Sequence, residues 1–93
     1  MQLTDQFTVS EDVVVREVSG ELVLLDLNSG QYFGLDAVGA RIWELLADGL
    51  RDLNAICDQI ENEFDAPRER IEADLIALAT QLQEQALIAA KAA

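Results

Sequence analysis

The side chains that usually carry chemistry are scarce in this sequence. It holds one cysteine, Cys57, and no histidine. Cys57 therefore has neither an imidazole to activate it nor a second thiol with which to share a metal ion. Most nucleophilic and metal-assisted mechanisms lose their usual parts on that ground alone. Eighteen Asp and Glu side chains could supply a general acid–base pair, yet no spacing singles out two of them, and in so acidic a chain they read as solvated. The five glycines are scattered over turns and one helix and are not gathered into a phosphate-binding loop. These residue types predict no enzyme, no metal site and no cofactor. With no catalytic constellation in view, the question becomes what the chain's most organised stretch could touch.

The stretch Leu27-Asn28-Ser29-Gly30-Gln31-Tyr32-Phe33-Gly34-Leu35-Asp36 reads as a turn, a short strand and the opening of a helix. Asn28-Ser29-Gly30 is turn chemistry, with Gly30 able to take a positive φ. Gln31 to Leu35 reads as a short, aromatic-bearing strand, and Asp36 offers an oxygen to the first N–H groups of a following helix. A three-residue loop would set Leu27 opposite Gln31, Leu25 opposite Phe33 and Val23 opposite Leu35 as a buried row, with Tyr32 on the other face. The strand order leaves this third strand at an edge, with no proline or lysine to block further pairing.

Composition and charge bound the possible partners. Ninety-three residues, 51% of them hydrophobic, make one domain with an adequate core. There is no apolar run of about 18 residues, so no membrane span is expected. Met1-Gln2-Leu3-Thr4-Asp5 lacks a basic region followed by an apolar one, so no secretory signal is expected either. With a single cysteine, a cytoplasmic location is the default. The net charge of −12 repels phosphate backbones, argues against nucleic acid and suits a basic or apolar partner.

Those parts need a scaffold. Residues 1–9 carry no periodicity and are expected to form a flexible N-terminus, with residues 10–90 as the single domain. Val13 to Val18 is β-branched and predicts a first strand; Ser19-Gly20 turns it into a second, Glu21 to Leu27, as an antiparallel hairpin. A first helix is predicted over Ala37 to Ala47. Val38, Ile42, Leu45 and Leu46 form its stripe, Trp43 lies at the border, and Gly39 suggests a close backbone approach to the sheet. Gly49 ends it. Asp52 caps a second helix whose Leu53, Ile56, Cys57, Ile60 and Phe64 share one face. Asp65-Ala66-Pro67 breaks the pattern, and a third helix runs from about Pro67 to Gln85 with Ile71, Leu75, Leu78 and Leu82 as its stripe. Ala79 lies beside that stripe and Asp74 on its flank. Ala86 to Ala93 either continues the helix or forms a short apolar tail anchored by Leu87 and Ile88. The class is α+β: a three-stranded antiparallel sheet followed by three helices, a winged-helix-like inventory. Only Arg68 and Arg70 sit at the start of the third helix, so the basic face of a DNA reader is missing.

The ordered string Gly20-Glu21-x-Val23-Leu24-Leu25-Asp26 … Ser29-Gly30-x-Tyr32-Phe33-x-Leu35-Asp36-x-x-Gly39-x-x-Ile42-Trp43-x-Leu45-Leu46 resembles PqqD-like proteins, as does the later Ile71-x-x-Asp74-Leu75. The likeness covers about residues 10 to 88. It implies a non-catalytic peptide-recognition element that binds the leader segment of a ribosomally made precursor peptide as an added strand, between the third strand and the third helix. It also implies a partner enzyme that receives the presented peptide. Leu27-Asn28-Ser29-Gly30 stands where PqqD of pyrroloquinoline quinone synthesis usually carries proline. In this the chain is more similar to stand-alone members, including lasso-peptide leader binders. The partner is then a leader peptidase with a cyclase, or a radical enzyme. On this resemblance and the helix pattern, the peptide site comprises Gln31, Tyr32, Phe33 and Gly34 on the strand and Ile71, Asp74, Leu75 and Leu78 on the helix. Leu75 and Leu78 read equally well as core, and Glu72, Ile76 and Ala79 form an alternative wall. A regulatory or structural subunit acting through protein–protein contacts is the alternative function.

Overall fold

The computed structural model describes residues 1–49 and 52–90. In chain order the elements are β1 (Phe7–Val9), β2 (Val13–Val18), β3 (Glu21–Asp26), β4 (Tyr32–Leu35), α1 (Ala37–Ala47), α2 (Leu53–Glu63), α3 (Arg68–Glu84) and β5 (Ile88–Ala90). Strands β2, β3 and β4 form an antiparallel sheet in that order. The expected α+β class and the sheet-then-helices order are what the chain adopts.

Two of the helices, α1 and α2, begin at side-chain caps. Asp36 Oδ1 accepts from the Gly39 N–H at 2.8 Å, and Asp52 Oδ1 from the Ala55 N–H at 2.9 Å. Gly39 is explained by what surrounds it. A Cβ there would lie 3.3 Å from Asp36 Oδ1 and 3.4 Å from Leu35 Cδ2, so the close approach is to the cap and the end of β4. Trp43, placed at the stripe's border from sequence, is buried within the core. The deepest side chains are Leu24 from the sheet, Leu53, Ile56 and Cys57 from α2, and Leu75 and Leu82 from α3, all fully enclosed. The core thus lies between one face of the sheet and the helices.

Two expectations are corrected and one open alternative is decided. The first concerns residues 1–9, which are not loose: β1 pairs antiparallel with β5, Phe7 opposite Ala90, and Phe7 is buried. The carbonyls of Leu3 and Asp5 also accept from the N–H groups of Asn54 and Leu53, at the start of α2 where donors have no intrahelical partner. Nothing local announces a three-residue strand whose partner lies at the other end of the chain.

The second point is the end of α3, where the alternative of an apolar tail anchored by Leu87 and Ile88 holds. The Leu87 N–H donates to the Leu82 carbonyl and the Ala86 N–H to that of Gln83, the two bonds of a Schellman ending. Ala86 accordingly takes φ +58°. The helix does not continue past it; Leu87 and Ile88 are buried as anchors, and the chain leaves as β5. Residues 91–93 of the expected tail lie outside the described residues.

The third is the register of β4. The loop has four residues, Leu27 to Gly30, because Asp26 pairs with Gln31: the Asp26 N–H donates to the Gln31 carbonyl at 2.9 Å and the Gly30 N–H to the Asp26 carbonyl at 2.7 Å. The Asp26 carboxylate fastens the turn, accepting from the Asn28 N–H and the Ser29 hydroxyl, each at 3.0 Å. Leu24 therefore faces Phe33 and Leu22 faces Leu35, in place of the expected Leu25–Phe33 and Val23–Leu35. A slip of one residue exchanges the faces of a strand, so Leu22 and Leu24 fill the core while Leu25 and Val23 turn outward.

Candidate functional site

The register also fixes which main-chain groups of β4 are free for a partner. Antiparallel ladders alternate between pairs that exchange hydrogen bonds and pairs that do not. The Asp26–Gln31 bond sets the phase, so Phe33 and Leu35 direct their N–H and C=O groups to β3. Tyr32 and Gly34 direct theirs to the outer edge, which no described strand covers.

Beside that edge runs a cleft of about 700 Å³. It is lined by Phe33 and Leu35 of β4, Val38 and Ile42 of α1, Ile71 and Leu78 of α3, and Phe64 and Ala66 between α2 and α3. The lining is mostly apolar. Its polar groups are Asp36, Asp65, Asp74, Gln81 and the single cation Arg70. Arg70 Nε lies 3.7 Å from Asp74 Oδ2, a loose and exposed pair that leaves the cleft with an acidic balance.

The residues singled out from sequence are distributed as follows. Tyr32 and Gly34 hold the free edge. Phe33 is bonded to β3 through its main chain and lines the cleft with its ring. Gln31 is outside the strand: its carbonyl meets Asp26, and its N–H donates to Ser29 Oγ at 3.2 Å. On α3, Ile71, Asp74 and Leu78 line the cleft, whereas Leu75 is fully enclosed in the core. The alternative wall points elsewhere. Glu72 accepts from Arg68 at 2.8 Å, Ala79 is fully buried, and Ile76 is half-buried away from the cleft. Sequence reasoning did not assign the contributions of α1 and the α2–α3 connection. Their signal was faint: Val38 at the edge of its stripe, and Phe64 just before the Asp65-Ala66-Pro67 break.

Two arginines near the site hold helices together. Arg68 bridges α2 and α3, donating to Asp58 at 2.6 Å and Glu72 at 2.8 Å, and these bonds strengthen its hold on its proton. Arg41 of α1 donates to Glu63 of α2 at 2.8 Å, which, with a bond from Gln59, holds the Glu63 carboxyl below its usual range. Burial pushes the Cys57 thiol upward, away from the reactive thiolate. Among the described residues no cluster of three or more His, Cys, Asp or Glu could hold a metal ion.

A free edge strand beside an apolar cleft backed by helices is the setting in which the comparisons are informative. The sequence profile described as coenzyme PQQ synthesis protein D (PqqD) matches residues 21–88, from β3 to the start of β5. The chain belongs to the PqqD family. No curated protein sequence matches it. Among solved structures, this PqqD-family chain is similar to TbiB1 in complex with the TbiA(beta) leader peptide, at 41% identity and a TM-score of 0.82, over 92% of this chain and 99% of that one. It is also similar to lasso peptide synthetase B1 complexed with the leader peptide, at 28% identity and a TM-score of 0.78, over 90% and 98% of the two chains.

Proposed function

We propose that this PqqD-family protein captures the leader segment of a ribosomally made precursor peptide, as an added strand on β4, and presents the rest of that peptide to a modifying enzyme. The observation that carries this is the outward phase of Tyr32 and Gly34 beside the apolar cleft. Strand addition draws affinity from main-chain bonds and specificity from side-chain pockets, and both are present at one place. The leader-peptide complexes of TbiB1 and of lasso peptide synthetase B1 support leader capture, and the second favours the lasso class of peptide. Ile71, Asp74 and Leu78 are the helix residues that would meet the leader; Leu75 supports them from beneath. The enzyme served is a leader peptidase working with a cyclase, with a radical enzyme as the alternative partner. Isothermal calorimetry with the leader of the precursor encoded nearby tests the reading. Saturable one-to-one binding is expected, weakened at least about ten-fold by Gly34→Pro; absence of binding at millimolar peptide sinks it.

A further inference from the structure

The sheet has a second free edge. β2 packs on β3 and on no other described element, and five of its six residues are exposed. Val13-Val14-Val15-Arg16-Glu17-Val18 contains no proline or lysine, the usual blocks to pairing between molecules. Its phase is fixed as well. The Leu27 N–H donates to the Asp12 carbonyl at 2.9 Å, next to the Val13–Asp26 pair. By alternation, Val14, Arg16 and Val18 bond β3, while Val13, Val15 and Glu17 direct their N–H and C=O groups outward.

A second copy of this strand meets those requirements. For two identical edges to pair about a two-fold axis, outward-directed residues must oppose outward-directed ones and the side-chain faces must agree. A register centred between two residues fails, because it opposes a free residue to one already bonded to β3. Centred on Arg16, it sets two guanidiniums against each other. Centred on Val14, it leaves Arg16, Glu17 and Val18 beyond the overlap. Centred on Val15, it opposes Val15 to Val15, Val13 to Glu17 and Val14 to the stem of Arg16, with no like charges opposed. We propose that the β2 edge joins two copies of this chain as an antiparallel dimer with Val15 on the two-fold axis.

The two three-stranded sheets then form one of six strands, with each β4 at an outer end and both clefts open. The contact is small, in the class of weak encounters below about 1,200 Å². Each copy carries −12, so repulsion opposes association and salt relieves it. The proposal is independent of leader capture.

Sedimentation of the full chain between about 10 μM and 1 mM protein, in about 50 mM and 500 mM salt, tests it. A monomer–dimer equilibrium is expected, at least several-fold tighter in the higher salt. Val15→Pro removes the N–H on the axis without touching the β3 ladder, and Val15→Lys places two charges there. Either variant, folded by circular dichroism and with leader binding unchanged, should sediment as a monomer throughout. Under mild oxidation Val15→Cys should cross-link and Val18→Cys should not. A wild-type chain monomeric at 1 mM in both salts overturns the proposal. So does a dimer that survives in a folded Val15 variant, since the contact would then lie elsewhere.

Discussion

At Gly34 the main chain directs both polar groups away from β3, and a Cβ built there meets nothing within 4 Å. Two substitutions therefore separate side-chain from main-chain effects. Gly34→Ala should leave leader affinity within about three-fold. Gly34→Pro deletes the N–H offered to the peptide and should cost at least about ten-fold, roughly the sum of a lost hydrogen bond and backbone strain. Calorimetry on both variants reads the difference. Asp74 poses a sharper question about charge. Its pair with Arg70 is exposed at 3.7 Å, so Asp74→Ala should shift stability by less than about 0.5 kcal/mol in urea melts. The same variant should weaken a basic leader, while Ile76→Glu, outside the cleft, should bind normally. Cys57 gives an independent reporter. Its thiol is buried and pushed toward the neutral form, so alkylation at pH 8 should proceed only as fast as the protein opens.

The helices show what local chemistry can specify. Ala86 occupies the left-handed position that ends α3, where glycine is favoured. Ala86→Gly should raise stability by roughly 1 kcal/mol, measured by denaturant midpoint at constant slope. Asp36→Ala should cost about 1 kcal/mol through the lost cap. It should also weaken leader binding, because α1 carries Val38 and Ile42 into the cleft. Caps and breaks are written within a few residues, which is why α1 was legible to its ends and α2 and α3 nearly so. The register of β4 was not, because it turns on the Asp26 carboxylate seizing Asn28 and Ser29 and lengthening the loop by one residue. The same limit applied to the cleft. Ile71 and Leu78 were readable from one helix's period and Asp74 through the family resemblance, whereas Val38, Ile42 and Phe64 belong to the cleft only because three helices meet there.

For the whole molecule, charge governs association. Of the described cations, Arg41, Arg68 and Arg70 each lie against carboxylates, so the third helix offers no basic face to a nucleic acid. The acidic cleft and the net −12 should attract a basic leader, whose affinity should fall as salt rises from about 50 to 500 mM. The effect should be modest, since main-chain bonds and apolar contacts are little screened. Salt should thus act in opposite directions on the two edges of the sheet, weakening the peptide at β4 and strengthening the contact at β2. No helix among the described residues is long and apolar enough to cross a membrane.

The pairing of β1 with β5 makes the backbone almost a ring. Phe7 stands opposite Ala90, so the chain enters and leaves the two-stranded ribbon at the same end. A short turn of glycine and serine from residue 90 to residue 7 would close the circle without altering the ribbon. Such a cyclic protein loses freedom chiefly when unfolded. By the loop-closure relation for a ring of this length, ligation should add up to about 4 kcal/mol of stability, less whatever residues 1–6 contribute through the Leu3 and Asp5 carbonyls. Its β4 edge would be unchanged, and with no free ends it would resist exopeptidases while still holding its peptide.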